Sequence, residues 1–364
     1  MKIAILSQGK FKPIGPFVRN YIANIPNDKI VIYGGDIPFL IGDKSEFQIK
    51  LIHRIIAVIS LFNTQRSNKI KLALAKRVLR QNKIDCVIGE YFNISANYTE
   101  ICKSLNIKLI PIGLGYELTM TKTVINNLEK YKKLINYAST SFVVSEGLLC
   151  KLKDNGVDVH SVIENPIGAE DLFFDIIPDY NSQTFLAIGR FVEKKAPHIT
   201  IKCFSQVLNK FPNAKLIFAG DGPLLESSKK LVEDLQIEKN VFFIGWISRE
   251  EQVDLLKKSS IFIQHSVTSK SGDSEGSPVA IIEASAAGLP IISTNHSGIP
   301  KLVQNNKTGI LVDEFDELGM ISAMEMLLSD NDKLRELGRN GKIYTRENFS
   351  NRIHISKMME AINN

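Results

Sequence analysis

Short apolar segments alternate with longer amphipathic segments along the first half of the chain. The short segments are rich in β-branched and aliphatic residues, as strands buried on both faces are. They lie at 3–6, 30–33, 86–88, 108–112, 142–144 and 159–163. Segments long enough for helices, with helical spacing of apolar residues, lie at 68–81, 95–105 and 145–155. The alternation predicts a parallel sheet with helices on both faces.

The same pattern begins again in the second half of the chain. Strands are predicted at 185–188, 215–219, 241–244, 261–264, 289–293 and 309–312. Helices are predicted at 198–210, 224–236, 249–258, 278–287 and 317–328. The stretch between the halves is rich in Pro, Gly, Asn and Asp and follows neither period. We therefore predict an α/β protein with domains at 1–170 and 183–345 and a linker at 171–182.

Size and composition agree with two globular domains. The chain has 364 residues, and a domain typically has about 100 to 200. Hydrophobic residues make up 44% and charged residues 23%, which excludes disordered, collagen-like and disulfide-scaffold proteins. The longest apolar runs, at 51–62 and 278–292, are interrupted by charged residues and too short to span a membrane. With no recognisable signal peptide, we expect a cytoplasmic protein with four reduced cysteines.

The net charge of +6 is confined to the first 180 residues, which contain 23 Lys and Arg against 17 Asp and Glu. Ten of these cations lie within residues 44–83, where Glu46 is the one acidic residue. Five of them share one face of a helical wheel: Lys69, Lys76, Arg77, Arg80 and Lys83. The other face is apolar: Ile70, Leu72, Leu74, Val78 and Leu79. Such a basic face is either simply solvated or binds anionic lipid.

The most informative stretch for chemistry is residues 272–290. Ser277 followed by Pro278 predicts a helix start, because Ser can cap the free backbone donors and Pro lacks one. Unpaired N–H groups and the positive end of the helix dipole favour an anion such as phosphate there. Glu283 lies further along this helix among apolar residues. It lies either on a solvated stripe or in a buried site with donors, which two sugar hydroxyls would supply.

Cationic and glycine-containing loops follow three predicted strands of the second half. Arg190 and Lys195 follow the strand at 185–188 and suit a diphosphate, although a basic loop can also be merely solvated. Glycines at 219–223 and 244–248 either allow the backbone to approach a ligand or form ordinary turns. Because the carboxyl ends of parallel strands meet at one edge, the three loops line one crevice.

These ordered blocks resemble the retaining nucleotide-sugar glycosyltransferases of family four, which have the GT-B fold of two Rossmann-like, doubly wound domains facing across a cleft. The resemblance covers nearly all of 184–318. It rests on Gly189-Arg190 with Lys195, on Gly220 to Pro223, on 241–246, on Glu275 and Glu283 with seven residues between them, and on 288–290, 298–300 and 308–312. Residues 266–276 resemble the branch that builds exported polysaccharides, including colanic-acid-type transferases. A C-terminal helix at about 345–364 is expected to pack on the first domain.

The resemblance implies a role for each matching residue. Arg190 and Lys195 would bind the donor diphosphate, and Glu275 would face the donor sugar at the reaction centre. Other residues would hold the nucleotide: Glu283 at the ribose hydroxyls, the amides of Gly276, Ser277 and Val279 at phosphate, Gly245, Trp246 and Ile247 beside the base, and Gly15 in the loop after the first strand. Many relatives have a histidine where this chain has Leu114. Either the donor sugar is bound differently or another group substitutes, with these candidates: Glu90, Tyr91, Tyr116 and Glu117.

We therefore expect an enzyme that transfers a sugar, with retention, from a nucleotide-diphosphate sugar to a hydroxyl of a glycan or lipid-linked glycan in bacterial cell-surface polysaccharide or lipopolysaccharide biosynthesis. No cofactor and no metal is expected, because two cations and helix amides can neutralise a diphosphate. Residues 44–83 could add contact with an anionic membrane, and no nucleic acid partner is expected. Three alternatives remain: a non-catalytic sugar-nucleotide-binding subunit of a glycan assembly complex, an epimerase or a phosphorylase. A dinucleotide-dependent oxidoreductase is disfavoured because no Gly-x-Gly-x-x-Gly follows a strand.

Overall fold

The structure is a computed structural model that describes residues 1–9, 16–42 and 64–364. The chain forms two compact units. Unit 1 contains Met1–Asn165 together with Ile355–Asn364, and unit 2 contains Pro166–His354. The division thus falls a few residues before the linker expected at 171–182, because Phe173 and Phe174 of that stretch are buried in the core of unit 2.

Unit 1 is built on a seven-stranded sheet. Its strands are β1 (Lys2–Leu6), β2 (Asp28–Tyr33), β3 (Leu40–Ile41), β4 (Cys86–Glu90), β5 (Lys108–Gly113), β6 (Ser141–Val143) and β7 (Val162–Glu164). They are arranged in the order β3-β2-β1-β4-β5-β6-β7, and among them only the edge strand β3 is antiparallel to its neighbour. Residues 3–6 of β1 are fully buried. A central parallel strand covered on both faces requires such an unbroken apolar run.

The helices of unit 1 that precede the second unit cover this sheet. They are α1 (Pro16–Asn24), α2 (Thr64–Gln81), α3 (Phe92–Leu105), α4 (Tyr116–Thr119), α5 (Thr121–Tyr137) and α6 (Glu146–Asp154). On one face of the sheet, Ile3 and Ile5 of β1 pack with Val18 and Tyr21 of α1 in one apolar cluster. Burial of that face accounts for the helix-period apolar positions of α1.

Unit 2 has a six-stranded parallel sheet. Its strands are β8 (Thr184–Ile188), β9 (Lys215–Ala219), β10 (Val241–Phe243), β11 (Ile261–Gln264), β12 (Ile291–Thr294) and β13 (Gly309–Val312). Their order is β10-β9-β8-β11-β12-β13. Because successive side chains of a strand point to opposite faces, Phe185 and Leu186 of β8 lie in two different core clusters, one on each face.

The remaining helices follow the strands of unit 2 and close the chain. They are α7 (Pro197–Val207), α8 (Leu225–Asp234), α9 (Arg249–Lys258), α10 (Val279–Ala287), α11 (Ile299–Leu302), α12 (Glu317–Ser329), α13 (Asn331–Asn348) and α14 (Asn351–Asn363). Short 3₁₀ turns lie at Asp171–Asp175 and Glu193–Lys195. Met358 and Ile362 of α14 are buried in the core of unit 1, where Lys108 Nζ donates to the Ala361 carbonyl at 3.3 Å.

Each of the twelve predicted strands has a counterpart in the structure, so the alternating α/β pattern is confirmed. The two-residue strand β3 was not predicted, because a segment of that length shows no period. Helix α5 was not predicted either. Its buried positions are sparse among polar residues: Val124, Tyr131, Leu134 and Ile135.

The basic helix α2 differs from the prediction in its buried face. Its buried residues are Ser67, Ala75 and Leu79, whereas Leu74, expected on the apolar face, is 37% exposed. The buried residues are four or eight positions apart and form one narrow stripe. Leu74 lies at the edge of this stripe, about 20° from Ser67 on a helical wheel. The neighbouring apolar run at 51–62 lies outside the described residues.

Both sheets contain a point where the chain connections diverge. In unit 1 the chain runs from β1 outwards to β2 and β3 on one side, and β4 and the later strands lie on the other side of β1. In unit 2 it runs from β8 outwards to β9 and β10 on one side, and β11 and the later strands lie on the other side of β8. In open parallel sheets such points form crevices at the carboxyl ends of the strands, where ligands bind. The loops after β8, β9 and β11 in unit 2, and after β1, β4 and β5 in unit 1, are therefore the places to look for function.

Candidate functional site

Glycines allow the loop after β8 and the loop after β9 in unit 2 to pack closely against each other. The loop after β8 is joined to the loop after β9 by hydrogen bonds from Gly189 N to Ala219 O and from Phe191 N to Asp221 O, both 2.9 Å. Gly220 has a φ of 142°, and a Cβ there would lie 2.0 Å from the Gly189 carbonyl oxygen. Only glycine satisfies both the backbone conformation and this close contact. The sequence block 220–223 therefore holds the β8 loop in place.

A buried ion pair lies at the centre of the site. Lys195 Nζ is 3.0 Å from Glu275 Oε1, and the two side chains are only 16% and 8% exposed. Lys195 Nζ also donates to Gln264 Oε1 at 2.8 Å, at the end of β11. Three separate elements, the 3₁₀ turn after β8, the end of β11 and the loop before α10, are thus joined through one ammonium group.

The ionisation of both partners is shifted. Burial would raise the pKa of Glu275, but the Lys195 and Lys194 ammonium groups outweigh burial and hold that pKa below its usual range. Burial lowers the pKa of Lys195, against the opposing pull of Glu275. An ion pair keeps both groups charged where either charge alone would be costly.

A second pair reinforces the same connection. Lys194 Nζ lies 3.1 Å from Asp273 Oδ1 and donates to the Ser274 carbonyl at 3.3 Å. Consecutive lysines therefore hold consecutive parts of the 273–275 loop. The expected residues Lys195 and Glu275 are brought together, and Lys194 and Asp273 are partners that the sequence did not single out.

Arg190 remains available to a ligand. Its side chain is exposed, and it has no hydrogen bond or ion pair to the part of the chain that the structure describes. Together with Gly189 and Lys195 it lines a small cavity at the end of β8. An unpaired guanidinium beside a buried ammonium group is a favourable place for phosphate oxygens.

The start of helix α10 differs from the prediction. Ser277 does not cap the helix: Pro278, with an extended ψ of 104°, is the residue before it, and α10 begins at Val279. Ser277 is therefore one position too early to cap, and its Oγ has no hydrogen-bond partner among the described residues. The backbone N–H groups of Gly276, Ser277 and Val279 likewise donate to none of the residues described. Free amides at a helix start favour an anion.

A histidine that the motif analysis did not single out supports the backbone of Glu275. Glu275 N donates to His296 Nε2 at 3.1 Å, and His296 Nδ1 lies 2.5 Å from Glu314 Oε1. Because Nε2 accepts, the ring hydrogen is on Nδ1 and is donated to the Glu314 carboxylate. His296 is 2% exposed. These two hydrogen bonds fix the backbone of residue 275 and so the direction of its side chain.

Glu283 is buried and already has partners. Arg249 donates to its Oε1 at 2.6 Å and Gln252 Nε2 donates to its Oε2 at 2.5 Å. Burial raises the pKa of Glu283, and the Arg249 charge and the two hydrogen bonds oppose that shift. Of the two sequence interpretations, the solvated stripe is wrong, because the carboxylate is buried with donors from the protein.

Arg249 joins several parts of the site. Besides Glu283, its guanidinium binds Glu170, and it lies over the ring of Phe173, 4.2 Å from the centroid. A capping box between Ser248 and Glu251 fixes the start of α9, so Arg249, the first residue of the helix, projects from a defined point. Sequence reasoning missed this residue, since nothing in the spacing of 170, 249 and 283 indicates contact.

The loop after β10 presents an exposed aromatic surface. Gly245 has a φ of 72°, and its carbonyl accepts a hydrogen bond from Gly220 N at 2.7 Å. Trp246 is 74% exposed, and Ile247 beside it is half-buried. A flat exposed indole next to a fixed glycine turn is suited to stacking on a planar ring.

Two of the residues expected to substitute for the histidine missing at position 114 are the buried carboxyls Glu117 and Glu90 of unit 1. Glu117 Oε1 and Oε2 accept from the amides of Leu114 and Gly115, at 2.7 and 3.0 Å. Burial raises the pKa of Glu117 to about 7 against these hydrogen bonds. Burial also raises the pKa of Glu90 to about 8, and its Oε1 has no hydrogen bond within the described residues. Gly15 lies outside the described residues.

Three further observations concern the described residues as a set. They contain no group of three or more His, Cys, Asp or Glu side chains arranged to hold a metal ion. None of the helices in the described ranges is long and apolar enough to cross a membrane. The four cysteines are free; Cys150 is exposed and the other three are buried.

The sequence of the chain is similar to those of known glycosyltransferases. The sequence model of the family described as glycosyl transferases group 1 matches residues 169–344. The chain is 26% identical over 313 residues to a putative colanic acid biosynthesis glycosyltransferase of Escherichia coli K12, covering 83% of this chain and 76% of that protein. It is 31% identical over 160 residues to a GDP-mannose-dependent phosphatidylinositol monomannoside mannosyltransferase of Mycobacterium tuberculosis, covering 44% and 42% of the two.

Solved structures agree on the fold. The crystal structure of Anabaena HepE in complex with UDP matches over 100% of both chains with a TM-score of 0.78 and 16% identity. At that identity the match carries the fold and not the substrate. The GT-B architecture expected from the sequence is therefore confirmed. Residues 169–344 belong to the glycosyl transferases of group 1, and the chain is a glycosyltransferase with the GT-B fold.

Proposed function

We propose that this glycosyltransferase moves a sugar, with retention, from a nucleotide-diphosphate sugar to a hydroxyl of a glycan or lipid-linked glycan. The observation that carries the proposal is the juxtaposition in unit 2 of a buried ammonium group, Lys195, with the unpaired Arg190 at the end of β8. The relative named for colanic acid biosynthesis supports an acceptor that is part of a bacterial surface polysaccharide.

The donor diphosphate would bind beside two cations, of which Arg190 is unpaired among the described residues. Arg190 supplies an unpaired guanidinium, and Lys195 supplies an ammonium group held in place by Glu275 and Gln264. The free amides at the start of α10 add fixed dipoles. These groups are in place before the reaction, so they stabilise the charge that develops on the leaving diphosphate without reorganisation.

The nucleoside would bind along the same edge. Each oxygen of Glu283 accepts one hydrogen bond from the protein, and a carboxylate oxygen has a second lone pair for a ribose hydroxyl. Arg249 and Gln252 would then act as positioning residues for Glu283. Gly245, Trp246 and Ile247 would lie beside the base, with the exposed indole as the stacking surface.

In the transfer, the bond between the anomeric carbon and a diphosphate oxygen breaks, and a bond from that carbon to the acceptor oxygen forms. The proton of the acceptor hydroxyl passes to the departing diphosphate, through an oxocarbenium-like state. Glu275 would face the donor sugar, its direction set by Lys195 on one side and by His296 behind its amide. Most of the rate enhancement would be electrostatic.

We also propose that helix α2 binds anionic lipid and places the enzyme on the inner face of the cytoplasmic membrane. The helix carries six Lys and Arg and no acidic residue over 18 positions. Lys69, Arg77 and Arg80 are exposed, as is Leu74 between them. Exposed cations with an apolar side chain among them suit the headgroup region of a bilayer.

Replacing Arg190 tests the transfer reaction. Arg190→Ala should lower the rate of nucleotide release about 10²-fold to 10³-fold, as loss of one fixed donor to developing charge does. The measurement is release of nucleoside diphosphate from a panel of UDP, GDP, ADP and TDP sugars, with and without a bacterial lipid extract. Lys239→Ala, which removes an exposed cation before β10, serves as the control and should leave the rate unchanged.

The same assay separates the alternatives. An unchanged single-turnover rate in Arg190→Ala would remove Arg190 from the mechanism. Tight binding of the nucleotide sugar, with no release of nucleoside diphosphate under any acceptor, would indicate a non-catalytic binding subunit, which the aliphatic side chain of Leu114 permits. Conversion of the free nucleotide sugar to an isomer, or its cleavage by inorganic phosphate, would indicate an epimerase or a phosphorylase.

Removing the support of Glu283 should make nucleotide binding sensitive to pH. In Arg249→Gln the charge that opposes the raised pKa of Glu283 is lost, so that pKa rises further. The carboxylate is then protonated over a wider range, and affinity for the preferred nucleoside diphosphate should fall as pH falls, with a midpoint at higher pH than in the wild type. Calorimetric titration across pH measures this.

The control ligand is the corresponding 2′,3′-dideoxynucleotide, which lacks both ribose hydroxyls. Its affinity should be the same in the wild type and in Arg249→Gln, because Glu283 has nothing to hold. An equal loss of affinity for both nucleotides would show that Arg249 acts only on the general structure of the site. Arg249→Lys keeps the charge but cannot contact Glu283 and Glu170 with two separate nitrogens. The midpoint pH of its nucleotide binding should lie between those of the wild type and Arg249→Gln.

Lipid binding by α2 can be measured by co-sedimentation with vesicles. Replacing Lys69, Arg77 and Arg80 together by Gln should weaken binding to phosphatidylglycerol-containing vesicles roughly 100-fold, at about 1 kcal/mol for each cation. Three exposed lysines of unit 2, Lys239, Lys258 and Lys307, replaced in the same way, provide a charge-matched control. Binding that ignores both anionic lipid and salt would overturn the proposal.

A further inference from the structure

A groove on the surface of unit 2 carries positive charge that no role assigned above uses. It lies between α7 and α8, which follow the neighbouring parallel strands β8 and β9 and so run side by side in the same direction. Its volume is about 360 Å³, and sites for small molecules typically measure about 300 to 1,000 Å³. We call it the α7–α8 groove.

The α7–α8 groove is distinct from the cavity at the end of β8. That cavity is lined by Arg190 and Lys195, and neither of them lines the groove. Of the described residues that line the two spaces, only Pro197, the first residue of α7, belongs to both. A ligand in the groove would therefore lie beside the donor diphosphate without taking its place.

Three basic side chains line the groove and have no partner within the described parts of the chain. His198 and Lys202 come from α7 and Lys230 comes from α8, and all three are exposed. None of these side chains has a hydrogen bond or an ion pair to a residue that the structure describes. The neighbouring Lys229, which does not line the groove, is 2.8 Å from Glu226 Oε1 through its Nζ. Unpaired cations are thus a feature of the groove and not of α8 as a whole.

The positive charges of the groove repel one another. His198 and Lys202 are four residues apart, so their side chains lie on the same face of α7. Burial lowers the pKa of His198, and the Lys202 charge lowers it further, against the opposing pull of Glu317 on α12. Of the described residues that line the groove, only Asp234 is acidic. An anion in the groove would relieve the repulsion.

The lining of the groove indicates the class of anion. A phosphate monoester has three terminal oxygens and a charge of about −1.5 to −2 at neutral pH, and it can accept hydrogen bonds from several cations at once. A carboxylate has two oxygens and a single charge, so it matches three basic side chains less well. Pro197, Leu224 and Leu231 line the same groove, and they can cover an organic group attached to the phosphate.

We propose that the α7–α8 groove binds a phosphate group, with Lys202, Lys230 and the protonated ring of His198 donating to its oxygens. The phosphate belongs either to a soluble phosphate ester or to the headgroup of a lipid, because both present the same group. The proposal is independent of the glycosyl transfer proposed above, since the groove is lined by neither Arg190 nor Lys195.

The ring of His198 provides a direct measure of binding. Its NMR signals are identified by their loss in His198→Gln and followed while inorganic phosphate is added to the full-length protein. Phosphate should raise the pKa of His198 in a saturable way, because an anion favours the protonated ring. Sodium chloride at equal ionic strength is the control, since screening of the Lys202 charge alone also raises that pKa.

Two adjacent lysines of α8 provide a matched pair of variants. Lys230→Gln removes a cation from the groove, so the phosphate concentration that gives half of the His198 response should rise about tenfold, as expected for loss of one hydrogen bond from a charged donor. Lys229→Gln removes a cation that is paired with Glu226 outside the groove. This variant should respond to phosphate at the same concentration as the wild type.

Two ligands with one headgroup distinguish the sources of the phosphate. Glycerol 3-phosphate and dihexanoyl phosphatidic acid, the latter below its micelle concentration, differ only in two short acyl chains. Half-saturation at an about tenfold lower concentration of the phosphatidic acid would assign the groove to a lipid, because Leu224 and Leu231 would then cover apolar chain. Half-saturation by glycerol 3-phosphate at an equal or lower concentration would assign it to a soluble ester.

Either of two results would overturn the proposal. One is a response of His198 to all three phosphate compounds that is no larger than its response to sodium chloride. The other is half-saturation by phosphate at the same concentration in the wild type and in folded Lys230→Gln. Neither measurement needs a nucleotide or turnover, so the groove is tested even if the proposed glycosyl transfer fails.

Discussion

The site in unit 2 depends on the buried ion pair between Lys195 and Glu275. Burying either charge alone would cost several kcal/mol, and here the two charges are 3.0 Å apart with Gln264 as a further partner of the ammonium group. The pair connects the turn after β8 with the loop before α10. It therefore sets both the position of the cation that would meet a diphosphate and the direction of the carboxylate that would meet the sugar.

Each carboxylate of the glutamate pair has its own support. The amide of Glu275 is held by His296, which is in turn held by Glu314. Glu283 is held by Arg249 and Gln252, and Arg249 is anchored by Glu170 and by the ring of Phe173. Such supporting contacts fix the rotamers of functional side chains, and a site lacking them would be too loose for efficient transfer. The site thus comprises the motif residues and a second layer of side chains that hold them in place.

The sequence predicted the elements and the chemistry more fully than the contacts. Strand positions followed from apolar runs such as 3–6 and 261–264, because strands covered on both faces need them. Arg190, Lys195, Glu275 and Glu283 were singled out by residue type and by the family resemblance, and their roles stay predictions. Arg249 and His296 were not, because they meet their partners 34 and 21 positions away only after the chain has folded. The orientation of Leu74 and the start of α10 depended on single turns of backbone, which periodicity does not resolve.

A double-mutant cycle on Lys195 and Glu275 tests the central claim most directly. The free energy of urea-induced unfolding is measured for the wild type, Lys195→Met, Glu275→Gln and the double variant. Breaking a buried pair leaves an uncompensated charge, so each single change should cost about 3 to 5 kcal/mol. The double variant should cost no more than either single one. Losses that add to within about 0.5 kcal/mol would show that the two residues act independently, and would contradict the account.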